Sequence, residues 1–457
     1  MKFLNVEIPI KNVPELDKGF VPLSLFFKNY QKNATKPLCI AVERSGGQIG
    51  TYETKIYGTP EMEEADAYYV DRLVKFLLWS WGGFKVSICG DDAVAQKIKA
   101  AYSDNGSRAF DKGFMQDVYE TEFVVESLPY DKKPAAVQKA EAVGRHLKGC
   151  RIGFDAGGSD RKVSAVIDGK PVYSEEVVWF PKTNSDPDYH YAGIVEAFKT
   201  AASKMPRVDA IGVSSAGVYV DNKCMVASLF IKVGKEDFEN KVKNIYTRAA
   251  KEIGDVPIVV ANDGDVTALA GAMGLNDNGI LGIAMGTSEA VGYVDVDGNI
   301  TGWLNELAFA PVDGQADAMQ DEWSGDIGCG VKYFSQDGII KLAPRAGITL
   351  TGASPAEKLK EVQKLMEEGD ERAVKVYEST GVYLGHALAL YAMFYDIHHV
   401  LMLGRVMSGK GGDIILEKAS EVLASEYPEV TFRPETPDEK TRRVGQSVAA
   451  ASLPEIK

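Results

Sequence analysis

Two glycine turns, each between two apolar strands, constrain this chain more than any other feature. The first turn covers residues 155–159 (Asp-Ala-Gly-Gly-Ser) and the second covers residues 286–288 (Gly-Thr-Ser). Glycine tolerates positive φ and lets the backbone approach a ligand, so such a turn can direct several N–H groups at one phosphate. Because an Asn-Asp pair lies between the turns in the chain, the pattern indicates a nucleotide held from both sides and a phosphoryl transfer.

Length and charge narrow the class of protein. A chain of 457 residues is too long for one ordinary domain, and two or three domains are expected. The formal net charge of −14 argues against nucleic-acid binding, which needs a basic surface. The sequence has no run of about 18 apolar residues that could span a bilayer, and its first residues lack the apolar stretch of a secretory signal. We therefore expect a cytoplasmic protein that binds neither a membrane nor a nucleic acid.

The cysteines indicate free thiols. They are odd in number, scattered along the chain and mostly set in apolar stretches, at Cys39, Cys89, Cys150, Cys224 and Cys329. This pattern favours buried free thiols over a disulfide framework. It also lacks the paired spacing of a structural zinc site.

From residue 151 onward the order of elements repeats. A meander of three strands is followed by alternating helices and strands, and a second strand pair from residue 280 is again followed by helices and a strand. This order predicts an α/β fold with two related halves and a cleft between them. We place the domains at residues 1–150, 151–263 and 264–437, with a closing helix at 438–457 that completes the first half.

Asp155 ends the first strand directly before its glycine turn. A carboxylate there could organise Mg²⁺ and its waters at the phosphates, and a turn-capping Asp is the alternative. Arg161 and Lys162 come just past the turn, where each could contact phosphate or lie in solvent. The hydroxyls of the second turn could donate to phosphate, although a plain hairpin would read the same.

Asn262 and Asp263 follow a short buried strand. A carboxylate at the C-terminal end of a strand commonly faces a ligand crevice in α/β folds. Phosphoryl transfer to an alcohol needs a carboxylate that accepts the hydroxyl proton. Asp263 is therefore the expected general base, and Asn262 is expected to hold a neighbouring hydroxyl. An N-cap role for Asp263 is the alternative, but Asp265 is the better placed cap.

A glycine-rich stretch at residues 404–412 runs from a buried strand into a helix. Such a turn lets adenine and ribose lie against the backbone. The spacing from Gly404 to Lys410 matches a Walker A loop, but Gly411 stands where that motif needs Ser or Thr to hold Mg²⁺. A structural glycine loop is the remaining alternative.

These segments, in this order, resemble the ROK family of sugar kinases and repressors, within the actin-like ATPase and sugar kinase fold. The first turn is similar to the family's Asp-x-Gly-Gly-Thr motif, residues 211–218 to its sugar-side Gly-x-x-x-Pro-Gly loop, and residues 404–409 to its adenosine motif. The Asn-Asp pair is similar to the family's catalytic pair. The resemblance covers residues 151–457 and implies two actin-like (ribonuclease H-like) domains, ATP, Mg²⁺, a sugar or polyol substrate and a homodimer.

The resemblance also implies roles for individual residues. Those implied for nucleotide binding are Asp155, Gly157, Gly158, Ser159, Lys162, Gly286, Thr287, Ser288, Gly404, Arg405, Ser408 and Gly409, with Asp155 also at the metal. Those implied for the substrate are Ser215, Gly217, Asn262 and Glu306, and the implied catalytic residues are Asp263 and Asn262.

The sugar side departs from the family pattern. The family usually has Glu-x-Gly-His against the sugar, whereas residues 306–309 read Glu-Leu-Ala-Phe. The family's zinc cysteine cluster is absent, and the Glu that would follow Cys329 has no clear counterpart near Val331. Residues 215–217 lack the usual Pro, and Arg405 stands where Gly is usual. The phosphate machinery therefore resembles the family's, while the hexose pocket is rebuilt, which argues against ordinary glucokinase specificity.

Residues 1–150 lie outside the resemblance. They lack the basic cluster expected of the helix-turn-helix that the family's repressors carry. Their order of strand, Gly46-Gly47 turn, strand, helix, strand and helix loosely echoes an actin-like half, but an extension specific to this protein is the favoured interpretation. Three functions stay open: the favoured ATP-dependent kinase, a non-catalytic nucleotide or sugar sensor, and an actin-like ATPase acting on a protein partner.

Overall fold

A computed structural model describes residues 1–137, 143–437 and 445–456 of the chain. The chain divides into two compact units. Unit one comprises Met1–Lys139, Ile283–Val291 and Gly302–Thr436. Unit two comprises Ala140–Gly282, Gly292–Thr301 and Pro437–Lys457. Each unit is therefore assembled from three separate stretches of sequence.

The chain is a mixed α/β protein, as predicted, and its strands and helices alternate along most of its length. The strands are β1 (Lys2–Phe3), β2 (Val6–Glu7), β3 (Lys36–Arg44), β4 (Gln48–Ile56), β5 (Lys85–Cys89), β6 (Val124–Leu128), β7 (Cys150–Ala156), β8 (Asp160–Ile167), β9 (Lys170–Val178), β10 (Ala210–Ser215), β11 (Val218–Val220), β12 (Lys223–Val226), β13 (Ile258–Asn262), β14 (Ile280–Met285), β15 (Glu289–Val294), β16 (His399–Leu403) and β17 (Pro434–Glu435). The helices are α1 (Leu23–Gln31), α2 (Glu63–Trp81), α3 (Asp92–Ala101), α4 (Ala109–Tyr119), α5 (Pro187–Ala202), α6 (Lys235–Asp237), α7 (Ile245–Lys251), α8 (Asp263–Leu275), α9 (Gln336–Leu342), α10 (Pro355–Glu367), α11 (Glu371–Tyr391), α12 (Lys410–Glu426) and α13 (Gln446–Ala451).

Unit two is built on a five-stranded sheet with the order β13-β10-β7-β8-β9. The predicted meander β7-β8-β9 pairs antiparallel, and β10 and β13 extend it as parallel strands. One face of this sheet is covered by α5 and α7, whose apolar side chains form a single core with those of the strands. Burial of this core is the main force holding the unit together.

Helix α13 packs directly on strands β7 and β10 of the same unit. Two glycines permit this close approach, because a Cβ at Gly153 would lie 1.6 Å from the carbonyl oxygen of Ser447, and one at Gly212 would lie 1.7 Å from that of Ala450. The predicted closing helix therefore exists over Gln446–Ala451, while residues 438–444 and 457 of that prediction lie outside the described residues. The domain boundaries at residues 150, 263 and 437 stay a prediction.

Unit one contains the N-terminal sheet, with the order β4-β3-β5-β6. Strand β3 pairs antiparallel with both β4 and β5, and only β5 and β6 are parallel. In an actin-like half the strands corresponding to β3 and β5 would be parallel, as β7 and β10 are, so the antiparallel pairing of β3 and β5 argues against the loose likeness of residues 1–150 to such a half. The long helix α2 is buried along most of its length and supplies much of this unit's core.

A second sheet has the order β15-β14-β16-β17, with β16 and β17 parallel. Its strands β14 and β15 contain residues of both units. Among the described residues, no helix is both long and apolar enough to cross a membrane. All five cysteines are buried free thiols.

Candidate functional site

Three parallel strands of unit two end in register at one edge of their sheet. Asp155 of β7 pairs with Ser214 of β10, and Ser215 of β10 pairs with Asn262 of β13. The polar residues at the carboxyl ends of these strands therefore lie side by side. The structure thus brings the predicted metal residue and the predicted Asn-Asp pair to the same edge.

Asp155 is held by a chain of hydrogen bonds. Ser214 Oγ donates to Asp155 Oδ1 at 2.9 Å, and Gln446 Nε2 of α13 donates to Ser214 Oγ at 2.9 Å. Burial raises the pKa of Asp155 to about 6, the Ser214 hydroxyl opposes this rise, and the negative charge of Asp263 adds to it. A carboxylate in this state gains from any cation that binds beside it.

Asn262 is the N-cap of helix α8. Its Oδ1 accepts the Gly264 N–H at 2.7 Å, and its Nδ2 donates to the Gly217 carbonyl oxygen at 2.8 Å. The prediction that Asp265 caps this helix is wrong, because Asp265 lies inside the first turn, is buried, and accepts the Tyr293 N–H at 3.1 Å. Asn262 satisfies the helix terminus and fixes the loop at Gly217.

Asp263 begins helix α8 and is partly buried. Its Oδ1 accepts the Gly264 N–H at 3.0 Å, and its carbonyl oxygen accepts Gln446 Nε2 at 3.0 Å. Burial raises the pKa of Asp263, while the Gly264 N–H and the positive charge of Lys182 oppose the rise. Within the described part of the chain the carboxylate has no salt bridge, which leaves it free to accept a proton.

The first glycine turn uses glycine for space. Neither Gly157 nor Gly158 has a φ in the left-handed region. A Cβ at Gly157 would lie 2.7 Å from the carbonyl oxygen of Asp160, and one at Gly158 would lie 3.0 Å from Cε of Lys182. Ser159 is exposed at the tip of the turn. Glycine at these two positions therefore lets Asp160 and Lys182 come close to the backbone of the turn.

The two basic residues past this turn point in different directions. Arg161 is buried and pairs with Glu196 of α5 at 2.5 Å, so it serves the core. Lys162 is half-buried with its side chain 44% exposed, and its Nζ lies 3.7 Å from both Asp160 Oδ1 and Glu176 Oε2. Of the pair, only Lys162 is accessible to a ligand.

Unit one brings the second glycine turn and the predicted adenosine turn together. Gly404, at the end of β16, has a φ of 96°, and a Cβ there would lie 2.3 Å from the carbonyl oxygen of Met285. Met285 directly precedes Gly286, whose N–H donates to the Ser288 carbonyl oxygen at 3.0 Å. Thr287 and Ser288, which follow in the same turn, are both exposed. The two turns therefore lie next to each other.

The rest of the 404–409 loop is exposed at its polar positions. Arg405 and Ser408 face solvent, and the Arg405 carbonyl oxygen accepts Gln363 Nε2 at 2.8 Å. Gly409 has a φ of 69° and is the N-cap residue that precedes helix α12. Lys410 Nζ donates to the Glu367 carbonyl oxygen at 3.3 Å, so it is held against α10. The assignment of this stretch to adenosine binding stays a prediction.

The predicted substrate residues differ in their surroundings. Ser215 is fully buried, and its hydroxyl is shared between Tyr246 at 2.8 Å and Tyr219 at 2.7 Å. Gly217 has a φ of 132° and its carbonyl oxygen is bound by Asn262. Glu306 lies in unit one, where its N–H donates to the Trp79 carbonyl oxygen at 2.9 Å. Their contribution to substrate binding stays a prediction.

Glu289 is a carboxyl group that sequence reasoning missed. It is 3% exposed, its Oε1 accepts the Tyr391 hydroxyl at 3.3 Å, and its Oε2 has no hydrogen-bond partner. Burial raises its pKa to about 8, the Tyr391 hydroxyl opposes the rise, and the charge of Glu306 adds to it. The absence of a side chain at Gly330 makes room for Oε2, since a Cβ there would lie 2.3 Å away.

Lys182 and Gln446 were missed as well. Lys182 follows β9 and lies over Gly158. Gln446 joins Ser214 to the Asp263 backbone. A lysine after an edge strand and a glutamine at a helix start have no local signature, so only the folded chain shows their roles.

The ROK family model matches residues 151–446. Solved structures agree with the predicted actin-like α/β fold. A ROK hexokinase from Thermus thermophilus is 18% identical over 66% of this chain and 97% of that chain, with a TM-score of 0.51. A ROK family transcriptional regulator, a homologue of the E. coli MLC protein, is 16% identical over 67% of this chain and 79% of that chain, with a TM-score of 0.52. A ROK family glucokinase from Streptomyces griseus in complex with glucose and AMPPNP is 20% identical over 66% and 98%, with a TM-score of 0.46. No curated protein matches the sequence.

Proposed function

Because the chain belongs to the ROK family, we propose that it is an ATP-dependent phosphotransferase acting on a hydroxyl of a sugar or sugar-like small molecule. The family includes sugar kinases as well as transcriptional regulators, so membership alone does not decide between catalysis and sensing. The residues of unit two favour catalysis.

Asp263 is the observation that carries the proposal. It is a partly buried carboxylate with a raised pKa at the carboxyl end of a parallel strand, and it has no salt bridge within the described residues. An alcohol that attacks a phosphoryl group must lose its proton, and a nearby carboxylate is suited to accept it. Asn262 supports this role because its cap fixes the first turn of α8, and with it the backbone that carries the Asp263 side chain.

The residues present fit Mg²⁺ held together with phosphate. Mg²⁺ commonly takes only one or two protein carboxylates and completes its shell with water and phosphate oxygens. Asp155 supplies one such carboxylate, and its pKa is raised in a way that a cation would reverse. The described residues contain no group of three or more metal-ligating side chains, so the metal would depend on the nucleotide.

The nucleotide would supply the phosphoryl group that is transferred. We assign the first glycine turn, with Gly157, Gly158 and Ser159, to its phosphates, and Lys162 to their charge. The neighbouring turns of unit one, residues 286–288 and 404–409, carry small residues and exposed hydroxyls suited to phosphate and adenosine. We further propose that the protein is cytoplasmic, forms a homodimer and binds no nucleic acid. Sedimentation with and without DNA tests the oligomeric state and the nucleic-acid binding.

A non-catalytic sensor of nucleotide or sugar is the second candidate. Phe309 stands where the family usually has the His of its sugar motif, and it packs on Trp79 with ring centroids 4.6 Å apart. The side chain of Phe309 has no polar atom, so it cannot form the hydrogen bond to a sugar hydroxyl that a His at this position could form. This feature favours a rebuilt or lost sugar pocket.

Release of ADP across a panel of sugars and polyols tests the proposal. The wild-type protein should release ADP with at least one acceptor, and mass spectrometry should find the phosphorylated acceptor. Asp263→Ala should abolish transfer while retaining the thermal shift caused by ATP. A wild-type protein that gains stability with ATP and a sugar, yet releases no ADP with any acceptor, would instead identify a sensor.

A further inference from the structure

The short turn Pro181–Thr183 follows β9 and contains Lys182. The proposed function gives this lysine no role. Lys182 is exposed and makes no hydrogen bond or ion pair with any residue that the structure describes. We propose that Lys182 binds the phosphoryl group that is transferred, reaching over Gly158 toward it. This inference rests on the proposed phosphotransferase function.

The position of the ammonium group carries the argument. A Cβ placed on Gly158 would lie 3.0 Å from Lys182 Cε and 3.2 Å from its Nζ. The end of the lysine side chain therefore lies directly above the glycine turn. Lys182 also acts on Asp263 by charge, since it lowers the pKa of that carboxyl. One cation thus serves both the predicted phosphate turn and the predicted base.

Trp179 ties the chain just before the Lys182 turn to the glycine turn, and His190 holds the Lys182 turn itself. Trp179 donates its Nε1 hydrogen to the Gly157 carbonyl oxygen at 2.8 Å and its backbone N–H to the Ser159 carbonyl oxygen at 3.1 Å. His190, fully buried on α5, has its Nε2 within 3.0 Å of the Pro181 carbonyl oxygen. Because these bonds hold the chain next to Lys182, its backbone is fixed and only its side chain is free to move.

The charges around Lys182 explain why a cation is needed there. The edge carries the carboxylates of Asp155, Asp160 and Asp263, with Lys162 near Asp155. A phosphate entering this edge would be repelled by three negative charges. An ammonium without a protein partner can offset that repulsion and can follow the phosphoryl oxygens as they move. The flexible stem of lysine suits this task, because the group binds as a point charge.

Binding of Mg-ATP and Mg-ADP to matched variants tests the inference without needing turnover. Lys182→Met should weaken Mg-ATP binding by roughly tenfold or more and leave Mg-ADP binding unchanged, because only ATP carries the transferable phosphoryl group. Lys182→Arg should restore most of the Mg-ATP affinity. Lys199→Met, at an exposed lysine of α5 that pairs with Glu252, should change neither affinity. Unchanged Mg-ATP affinity in Lys182→Met, or an equal loss for both nucleotides, would overturn the inference.

The pH profile gives a second readout once an acceptor is known. Removing the Lys182 charge should raise the pKa of Asp263, so the acidic limb of kcat/KM should move to higher pH, and kcat should fall by about 10² to 10³. If the wild-type protein transfers phosphate to no acceptor, the proposed function fails, and the comparison of Mg-ATP with Mg-ADP still decides the role of Lys182. An acidic limb that stays in place in an otherwise active Lys182→Met protein would count against the proposed contact.

Discussion

The buried carboxyl of Glu289 should make the folded protein less stable as the pH rises. Its pKa is about 8 in the fold and 4.5 in an unfolded chain, mainly because burial penalises the charged form. The folded protein therefore binds the proton more tightly than the unfolded one, and stability is fully present below pH 4.5 and is lost as the pH rises toward 8. The slope is about 1.4 kcal/mol for each pH unit, and about 5 kcal/mol over the whole interval is an upper bound.

Glu289→Gln is the perturbation that isolates this effect. Glutamine has nearly the same shape, its side-chain oxygen can still accept the Tyr391 hydroxyl, and it cannot ionise. Placing the glutamine amide where Glu289 Oε2 lies has a cost that does not depend on pH. The informative quantity is therefore how the difference in the free energy of unfolding between the two proteins changes with pH. We expect the variant to gain stability over the wild type as the pH rises, by up to about 1.4 kcal/mol for each pH unit between pH 5 and 8.

Chemical denaturation of both proteins at several pH values between 5 and 8 measures this difference. For units of this size, 1 kcal/mol corresponds to a Tm difference of about 2 to 4 °C, so calorimetry gives an independent estimate. Glu417→Gln removes the same charge from an exposed position on α12 and sets the baseline. Parallel stability curves for wild type and Glu289→Gln would refute the reasoning and show that Glu289 is already compensated in the fold.

Three further substitutions test the geometry of unit two. Asn262→Ala removes the cap of α8 and the bond to Gly217, and should lower the free energy of unfolding by about 1 to 2 kcal/mol in a denaturant titration; an unchanged midpoint would contradict this role. Ser214→Ala removes the hydroxyl that opposes the raised pKa of Asp155, so the pKa of that carboxyl, followed by NMR titration of the ligand-free protein, should rise above about 6, and an unchanged or lower pKa would contradict the account. Gly153→Ala places a methyl group within 1.6 Å of a backbone oxygen of α13, so far-ultraviolet circular dichroism and thermal melting should show a strongly destabilised protein, and a native melting temperature would contradict the packing.

Much of unit two could be predicted because its signals are local. The meander, the apolar strands and the polar residues at their ends follow from period and turn chemistry. Asp155 and Asn262 lie at one edge because parallel strands in register place their carboxyl ends together. The cap of α8 was misassigned because a shift of three residues along the chain changes which side chain reaches the first free N–H groups.

Residue roles that depend on distant contacts could not be predicted. The hydroxyl of Ser215 is used by two tyrosines, from positions 219 and 246, and nothing in residues 211–218 indicates this. The N-terminal residues also share unit one with Gly302–Thr436, for example through the bond from Val21 N to Asp313 Oδ1 at 2.9 Å. The bond between Val21 and Asp313 joins positions 292 residues apart, and no sequence pattern specifies such a pairing.

Transfer of an isotopically labelled γ-phosphoryl group from ATP, followed in a single turnover, tests the central claim most directly. The account predicts that the label moves to a hydroxyl of a sugar or polyol in the wild-type protein. It also predicts no transfer in Asp263→Asn, although that variant should still bind Mg-ATP. Label recovered only as inorganic phosphate whatever the acceptor, or transfer by Asp263→Asn at the wild-type rate, would contradict it.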